Sequence, residues 1–265
     1  MKKNLPTEFV FSLFALLIAV ILVHAIYLTV IRPNADEIIM EQRVAMETDP
    51  DFVAERSFFV IVRDFEQEAC FILMLWAFSM MGYKGIVASR ESKLLQQEFV
   101  PLAEGMKILP EDTREYVRAL QGLPDEERRM LLPRVLSSAL GRFGATRNVQ
   151  DVSSSTHTMI ESEAERMESE LSMIRYIAWA IPSIGFIGTV RGIGSALSQA
   201  HRAVEGDISG VTENLGVAFN STFIALLISI VLMFLVHQLQ LNQERLVFDT
   251  ESYADEHLIR HLQSS

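Results

Sequence analysis

Residues Ile181–Ala200 read IPSIGFIGTVRGIGSALSQA. The stretch is apolar enough to enter a membrane, yet it holds a proline, four glycines, a threonine and an arginine. In hydrocarbon a backbone must satisfy its own hydrogen bonds, so helix-weakening residues are costly there. At helical spacing they fall into line. Pro182, Gly185, Thr189, Gly192 and Ala196 recur every three or four positions and lie on one face. Gly188 and Gly192 add a G-x-x-x-G pair. Small residues let helix backbones approach closely in a bilayer, where packing drives association. A proline is tolerated if neighbours or water satisfy the carbonyl it frees.

The segment that follows answers with a similar stripe. In NLGVAFNSTFIALLISIVLMFLVH, Ala218, Thr222, Ala225 and Ser229 share a face, flanked by Asn214 and Ser221. Two helices with one small, hydroxyl-bearing face each can pack on each other or line a shared cavity. The stripes alone leave both readings open.

Working outward, the chain has 265 residues, a formal net charge of −11 and a mean hydropathy of +0.23. Apolar residues gather in four blocks: Phe9–Ile31, Ala69–Val87, about Ile174–Ala200 and about Leu215–Gln238. At ~1.5 Å per residue each crosses a hydrocarbon core of ~30 Å. Lys84, near the end of the second block, is accommodated by snorkelling. The expected fold is an all-α integral membrane protein of four transmembrane helices with cytoplasmic helical extensions. Its expected divisions are 1–31 (helix), 32–68 (acidic periplasmic loop), 69–88 (helix), 89–173 (cytoplasmic helices), 174–200 (helix), 201–213 (short periplasmic loop), 214–238 (helix) and 239–265 (cytoplasmic helix).

The first block is too long for a signal-peptide core and no small-x-small cleavage site follows it, so it is read as an uncleaved anchor. Lys2 and Lys3 precede it, and Lys84, Arg90 and Lys93 follow the second block. The loop between carries Asp36, Glu37, Glu41, Glu47, Asp49, Asp51 and Glu55, although Arg32, Arg56 and Arg63 lie there too. The positive-inside rule then puts both termini and the central region in the cytoplasm. Helices are expected after Pro110 and Pro124, with Pro133 breaking or kinking the second. No breaker stands between Thr158 and Ala180, so one helix is expected to run into the third block. Another is expected to continue past the fourth, packing through Leu239, Leu246, Tyr253 and Leu258.

Several function classes are set aside. The acidity and the scattered basic residues argue against nucleic acid. The single cysteine, Cys70, is read as buried filler and supports no metal cluster. No nucleophile–base set or metal spacing appears, so neither an enzyme nor a bound cofactor is expected. GTVRGIG lacks a preceding strand and sits in an apolar span, which makes it a poor nucleotide loop.

An ion path across a membrane needs a titratable group near its middle. No Asp or Glu lies inside any of the four blocks, and Glu213 is at the edge of the last. His24 is read as a helix-contact hydrogen bonder. Arg191 stands about 200° around the helix from Thr189 and is read as an interfacial or subunit-bridging residue rather than an ion gate. If the chain serves an ion path, the acid must come from another chain.

IPSIGFIGTVRGI resembles the P-x-x-G-x-x-G-T-V-x-G signature of the MotA/TolQ/ExbB proton-channel family, and AFNSTFIALLIS resembles that family's following helix. The match is good over about 175–237; the N-terminal half matches in topology only. The resemblance implies a bacterial inner-membrane stator. Such proteins form a homo-oligomeric ring, typically a pentamer, around two single-helix partners of the ExbD/TolR/MotB type, and the partner supplies the ion-binding aspartate. Carried over by position, Thr189 and Thr222 match the pore-facing threonines beside that aspartate, and Pro182 matches the motif proline. Here Asn220 and Ser221 precede the second threonine, and the A-I-P-A segment of the TolQ/ExbB branch is absent. Ions moved would be H+ or Na+. Gly185, Gly188, Gly192, Ala196, Ala218, Ser221, Ala225 and Ser229 complete the pore-facing or packing set. Two rivals remain: a membrane scaffold or signalling protein that uses the same faces for packing alone, and a self-sufficient transporter, which the lack of buried charge disfavours.

Overall fold

The computed structural model describes residues 7–48, 52, 57–101 and 106–263. Lys2, Lys3, Asp49, Asp51, Glu55 and Arg56 lie outside them, as does the side chain of Glu47. The described residues are predominantly helical and include no strand. In order the helices are α1 (Thr7–Ile26), a π-helical turn (Tyr27–Ile31), α2 (Arg32–Thr48), α3 (Phe58–Ile61), α4 (Phe65–Leu94), α5 (Thr113–Gln121), α6 (Asp125–Arg128), α7 (Leu131–Thr146), α8 (Val149–Glu170), α9 (Ser172–Ser198), α10 (Ala200–Val204) and α11 (Ser209–His257). Among the described residues four helical stretches are long and apolar enough to cross a membrane: Phe9–Met46, Phe65–Leu94, Val149–Ser198 and Ser209–His261. The chain is an all-α, multi-pass membrane protein.

Two compact units divide it. One joins the residues up to Gly82 with Met173–Val236; the other joins Tyr83–Ser172 with the residues from His237 onward. In the first unit, α1 turns Leu13, Phe14, Leu17, Ile18 and Ile21 outward, each more than half exposed. Its inner side holds Ala19, Val23 and Tyr27. An apolar outer surface is what lipid or another subunit covers. Trp76 of α4 donates from Nε1 to the carbonyl of Ser12 at 2.9 Å, which ties α4 to α1.

The π turn has a sequence cause. Pro33 lacks an N–H, and in a regular helix its ring meets the carbonyl four residues back, that of Thr29. A π turn over Tyr27–Ile31 is a local way around that clash. The helix then continues to Thr48, beyond the end of the apolar run.

The second unit packs α5, α7, α8 and the end of α11 around Leu120, Val135, Leu136, Leu140, Phe143, Val152 and Leu258. Leu239, Leu246, Tyr253 and Leu258 are all buried, as their spacing predicts. Arg166 pairs with Glu163 and Glu170, both at 3.2 Å, along α8. One expectation is borne out and one corrected here. The helix begun after Pro124 is broken: α6 ends at Arg128, α7 starts anew at Leu131, and Pro133 stands in the first turn of α7, where its missing N–H costs nothing. The helix entering the third block is interrupted at Leu171, whose N–H turns back to the carbonyl of Glu168 at 3.2 Å.

Candidate functional site

The small faces of α9 and α11 meet inside the first unit. Gly185 lies against Ala225, Gly188 against Ser221 and Gly192 against Ala218. The pairs run in opposite directions along the two helices, so the seam is antiparallel. A Cβ on Gly192 would stand 2.7 Å from both the Cβ and the backbone N of Ala218, so only glycine permits this approach. Ala196, Ala218, Ser221 and Ala225 are buried, and Pro182 is half-buried.

Thr189 and Thr222 face each other across this seam and share a hydroxyl–hydroxyl hydrogen bond. Thr222 also donates to the carbonyl of Gly185 at 3.0 Å, and the Thr189 hydroxyl lies 3.2 Å from the carbonyl of Ala218. Both side chains are half-buried, and among the described residues neither hydroxyl is hydrogen-bonded to a carboxylate. Each hydroxyl has one proton and two lone pairs. The pair can rearrange to present a donor or an acceptor to a group placed beside it.

Pro182 frees the carbonyl of Ala178, and Ser229 of α11 donates to that carbonyl at 3.0 Å. The last member of the fourth-helix stripe thus serves the first member of the third-helix stripe.

The sequence reading missed the charges around this seam. Helix α4 starts at Phe65, ahead of the apolar block, and carries Glu66, Gln67 and Glu68 in its first turn, all buried. Arg191 forms a two-pronged pair with Glu66, Nε to Oε1 at 2.7 Å and the second nitrogen to Oε2 at 2.8 Å. Asp64 adds a longer contact at 3.7 Å. Arg191 is therefore paired within its own chain, with Glu66 and Asp64. Burial pushes the Asp64 carboxyl above the usual carboxylate range, against the pull of Arg63 and Arg191. The stem of Glu66 passes over Gly188: a Cβ there would come 3.1 Å from its Cγ. A charged carboxylate thus sits one residue from Thr189, already matched by a guanidinium.

Glu68 is held by two residues of the first span. His24 Nδ1 lies 2.6 Å from Oε1, and Arg32 pairs with Oε2. His24 makes a helix contact, as its sequence context suggests, but to a carboxylate that the apolar blocks do not contain. The absence of buried charge, used against a self-sufficient transporter, does not hold. Hydropathy could not show this, because Glu66 and Glu68 lie before the apolar run. A helix-start reading of the DFEQE segment, with its acids at the N-terminal end of a helix, was the available signal.

Residues 127–252 match the model of a family described as the MotA/TolQ/ExbB proton channel family. No curated protein and no solved structure matched the chain. The matched stretch contains the whole α9–α11 seam and both threonines.

Proposed function

We propose, for a chain whose residues 127–252 match the model of the MotA/TolQ/ExbB proton channel family, the role of ring-forming subunit in an ion-driven inner-membrane stator. The ring, of about five copies by family resemblance, encloses two single-helix partners of the ExbD/TolR/MotB type. The partner brings the ion-binding aspartate, which stands beside Thr189 and Thr222. Both termini are cytoplasmic, and the ion is H+ or Na+.

The observation that carries the reading is the facing hydroxyl pair on a seam of small residues. Glu66, whose stem passes over Gly188 next to Thr189, is already matched by Arg191. A matched carboxylate is a poor carrier, because neutralising it strands its cation. The mobile acid is better supplied from outside. An ion neutralises the partner's aspartate at the hydroxyls, since a buried carboxylate is costly only while charged. Release to the far side restores the charge, and ring and partner step past each other. The potential supplies ~2.3 kcal/mol per charge per 100 mV.

Thr189→Val and Thr222→Val keep side-chain size and remove the hydroxyls. With oligomer size and partner capture intact, each is expected to lower ion-driven function about 10-fold or more, the scale of one lost hydrogen bond of ~1.4 kcal/mol or more in the rate-limiting step. Unchanged function in the double variant would reduce the seam to a packing surface, as in a membrane scaffold.

A further inference from the structure

The second unit carries a cavity of about 730 Å3 between α5 and the end of α7. Arg114, Val117, Arg118 and Gln121 line it from α5, at the spacing of a single helical face. Gly141, Gly144 and Ala145 form its α7 side, and Arg147 stands at the end of that helix. Three guanidiniums thus border one cavity, against the single carboxylate of Glu111. The chain as a whole has a net charge of −11, so a basic cavity runs against its general character.

Three features of this cavity work against stability, and packing explains none of them. Arg114 and Arg118 are exposed one turn apart, and among the described residues neither has an ion pair or a side-chain hydrogen bond. Like charges at i and i+4 repel. Elsewhere in the same unit Arg134, Arg142 and Arg166 all find carboxylates. Gly141 occupies a helix interior, where glycine is the weakest choice after proline. A Cβ there would meet nothing within 4 Å, so no close approach requires the glycine. Arg147 has a φ of 54°, the left-handed conformation for which helix ends favour glycine. Its contact with Glu111, 3.6 Å between exposed side chains, is too long for a hydrogen bond. Local rules broken together, without a structural gain, mark a functional site.

We propose that this cavity binds a small molecule bearing two or more phosphoryl groups. Guanidinium forks hold phosphoryl oxygens in two-pronged fashion. Arg114 and Arg118 line the cavity from one helix and Arg147 from the end of another, so neighbouring phosphoryl groups are held from two sides. Gly141 and Ala145 leave the α7 backbone bare for the ligand to lie against, and Val117 offers its remainder an apolar wall. The volume falls in the ~300–1,000 Å3 range of small-molecule sites. An acidic protein segment fits less well. Protein interfaces centre on aromatic anchors, and among the described residues no aromatic side chain lines this cavity. The phosphoryl groups belong either to a soluble compound or to a lipid headgroup, since the recognising chemistry is the same. Binding here depends neither on the threonine seam nor on ring formation.

The test uses the full chain in nanodiscs of zwitterionic lipid, with tripolyphosphate as the probe. It reads binding rather than transport, so its failure and that of the threonine reading are separate. Titration calorimetry should show saturable binding. Arg114→Gln and Arg118→Gln should each weaken it about 10-fold or more, the scale of a lost charge-assisted hydrogen bond. Gly141→Leu fills the floor without changing the charge and should weaken it too. Arg245→Gln, at an exposed arginine outside the cavity and also without an ion pair among the described residues, should leave it unchanged. In the unaltered chain the probe should protect Arg114, Arg118 and Arg147 from phenylglyoxal, read by mass spectrometry, while Arg245 reacts as before. That measurement depends on no variant folding. Competition by cardiolipin placed in the nanodisc supports the site with a lipid ligand; undiminished binding supports it with a soluble one. Absence of saturable binding, equal losses in Arg118→Gln and Arg245→Gln, indifference to Gly141→Leu, or equal protection of Arg245 overturns the site. So does tighter capture of an oligoglutamate peptide than of tripolyphosphate.

Discussion

Ser229 donates a hydrogen bond to the carbonyl of Ala178, the acceptor that Pro182 leaves without its helical donor. The bond crosses from one membrane helix to another. It makes the proline and the serine a functional couple, although 47 positions separate them. Removing Ser229 leaves a carbonyl unpaired in apolar surroundings, and interhelical hydrogen bonds in membranes contribute about 0.6–2 kcal/mol. Ser229→Ala is expected to destabilise the chain by about that amount. In a Pro182→Ala background the helix regains its N–H at position 182, and the same substitution should cost much less. A double-mutant cycle read by unfolding in detergent is expected to give a coupling of ~1 kcal/mol. Additive effects would show that another group serves the Ala178 carbonyl.

The seam makes a graded prediction about its glycines. A methyl on Gly192 meets the backbone of Ala218 and Asn214 at 2.7 Å, and no flexible side chain can yield. A methyl on Gly194 has nothing within 4 Å. Gly192→Ala should therefore cost ~1–3 kcal/mol through overpacking, while Gly194→Ala should be neutral or stabilising, because alanine favours the helix by up to ~1 kcal/mol. Gly188→Ala should cost about as much as Gly192→Ala, since the Cβ of Ser221, fixed to its backbone, would lie 2.5 Å away. Melting temperatures of the three variants give the order. Equal effects at Gly192 and Gly194 would mean that the two helices do not approach this closely.

The apolar runs, the stripes and the facing threonines were legible because each is a periodic property of a single segment. Helical spacing alone puts Thr189 and Thr222 on the small faces. What spacing does not carry is the partner of a charge. Arg191 and Glu66 are 125 positions apart, and their pairing depends on α4 beginning four residues before its apolar block. His24 and Glu68 likewise meet across two helices, 44 positions apart. Leu171 interrupts a helix with no proline or glycine to announce it, whereas Pro133 does mark the break between α6 and α7.

Arg191 and Glu66 make a prediction that separates one substitution from two. Arg191→Leu leaves the Glu66 carboxylate, 10% exposed, without its cation. A fully buried broken pair costs ~3–5 kcal/mol. The effect here should be smaller, because the Arg191 side chain is 45% exposed and part of its solvation persists. Removing both charges, Arg191→Leu with Glu66→Leu, should recover most of the loss, as hydrophobic replacements of buried pairs often do. Unfolding free energies of the two singles and the double decide it. A double variant as unstable as the sum of the singles would show that the two groups act separately.

Asp64 supplies the pH dependence. Its folded-state carboxyl is raised, chiefly by burial and against the opposing charges of Arg63 and Arg191, so the folded chain holds the proton more tightly than the unfolded one. The stability that Asp64 contributes is then fully present below the unfolded carboxyl value of about 3.9. It is lost as pH rises through the raised folded value, where the buried group must carry charge. Asp64→Asn removes that titration and keeps the side chain's shape. The melting temperature of the unaltered chain, minus that of Asp64→Asn, should therefore fall as pH is raised from about 4 towards neutrality. The variant gains ground as the medium becomes less acidic. A difference that stays flat, or grows with pH, would mean that Arg191 and Arg63 outweigh burial and that Asp64 is a stabilising member of the Arg191 cluster.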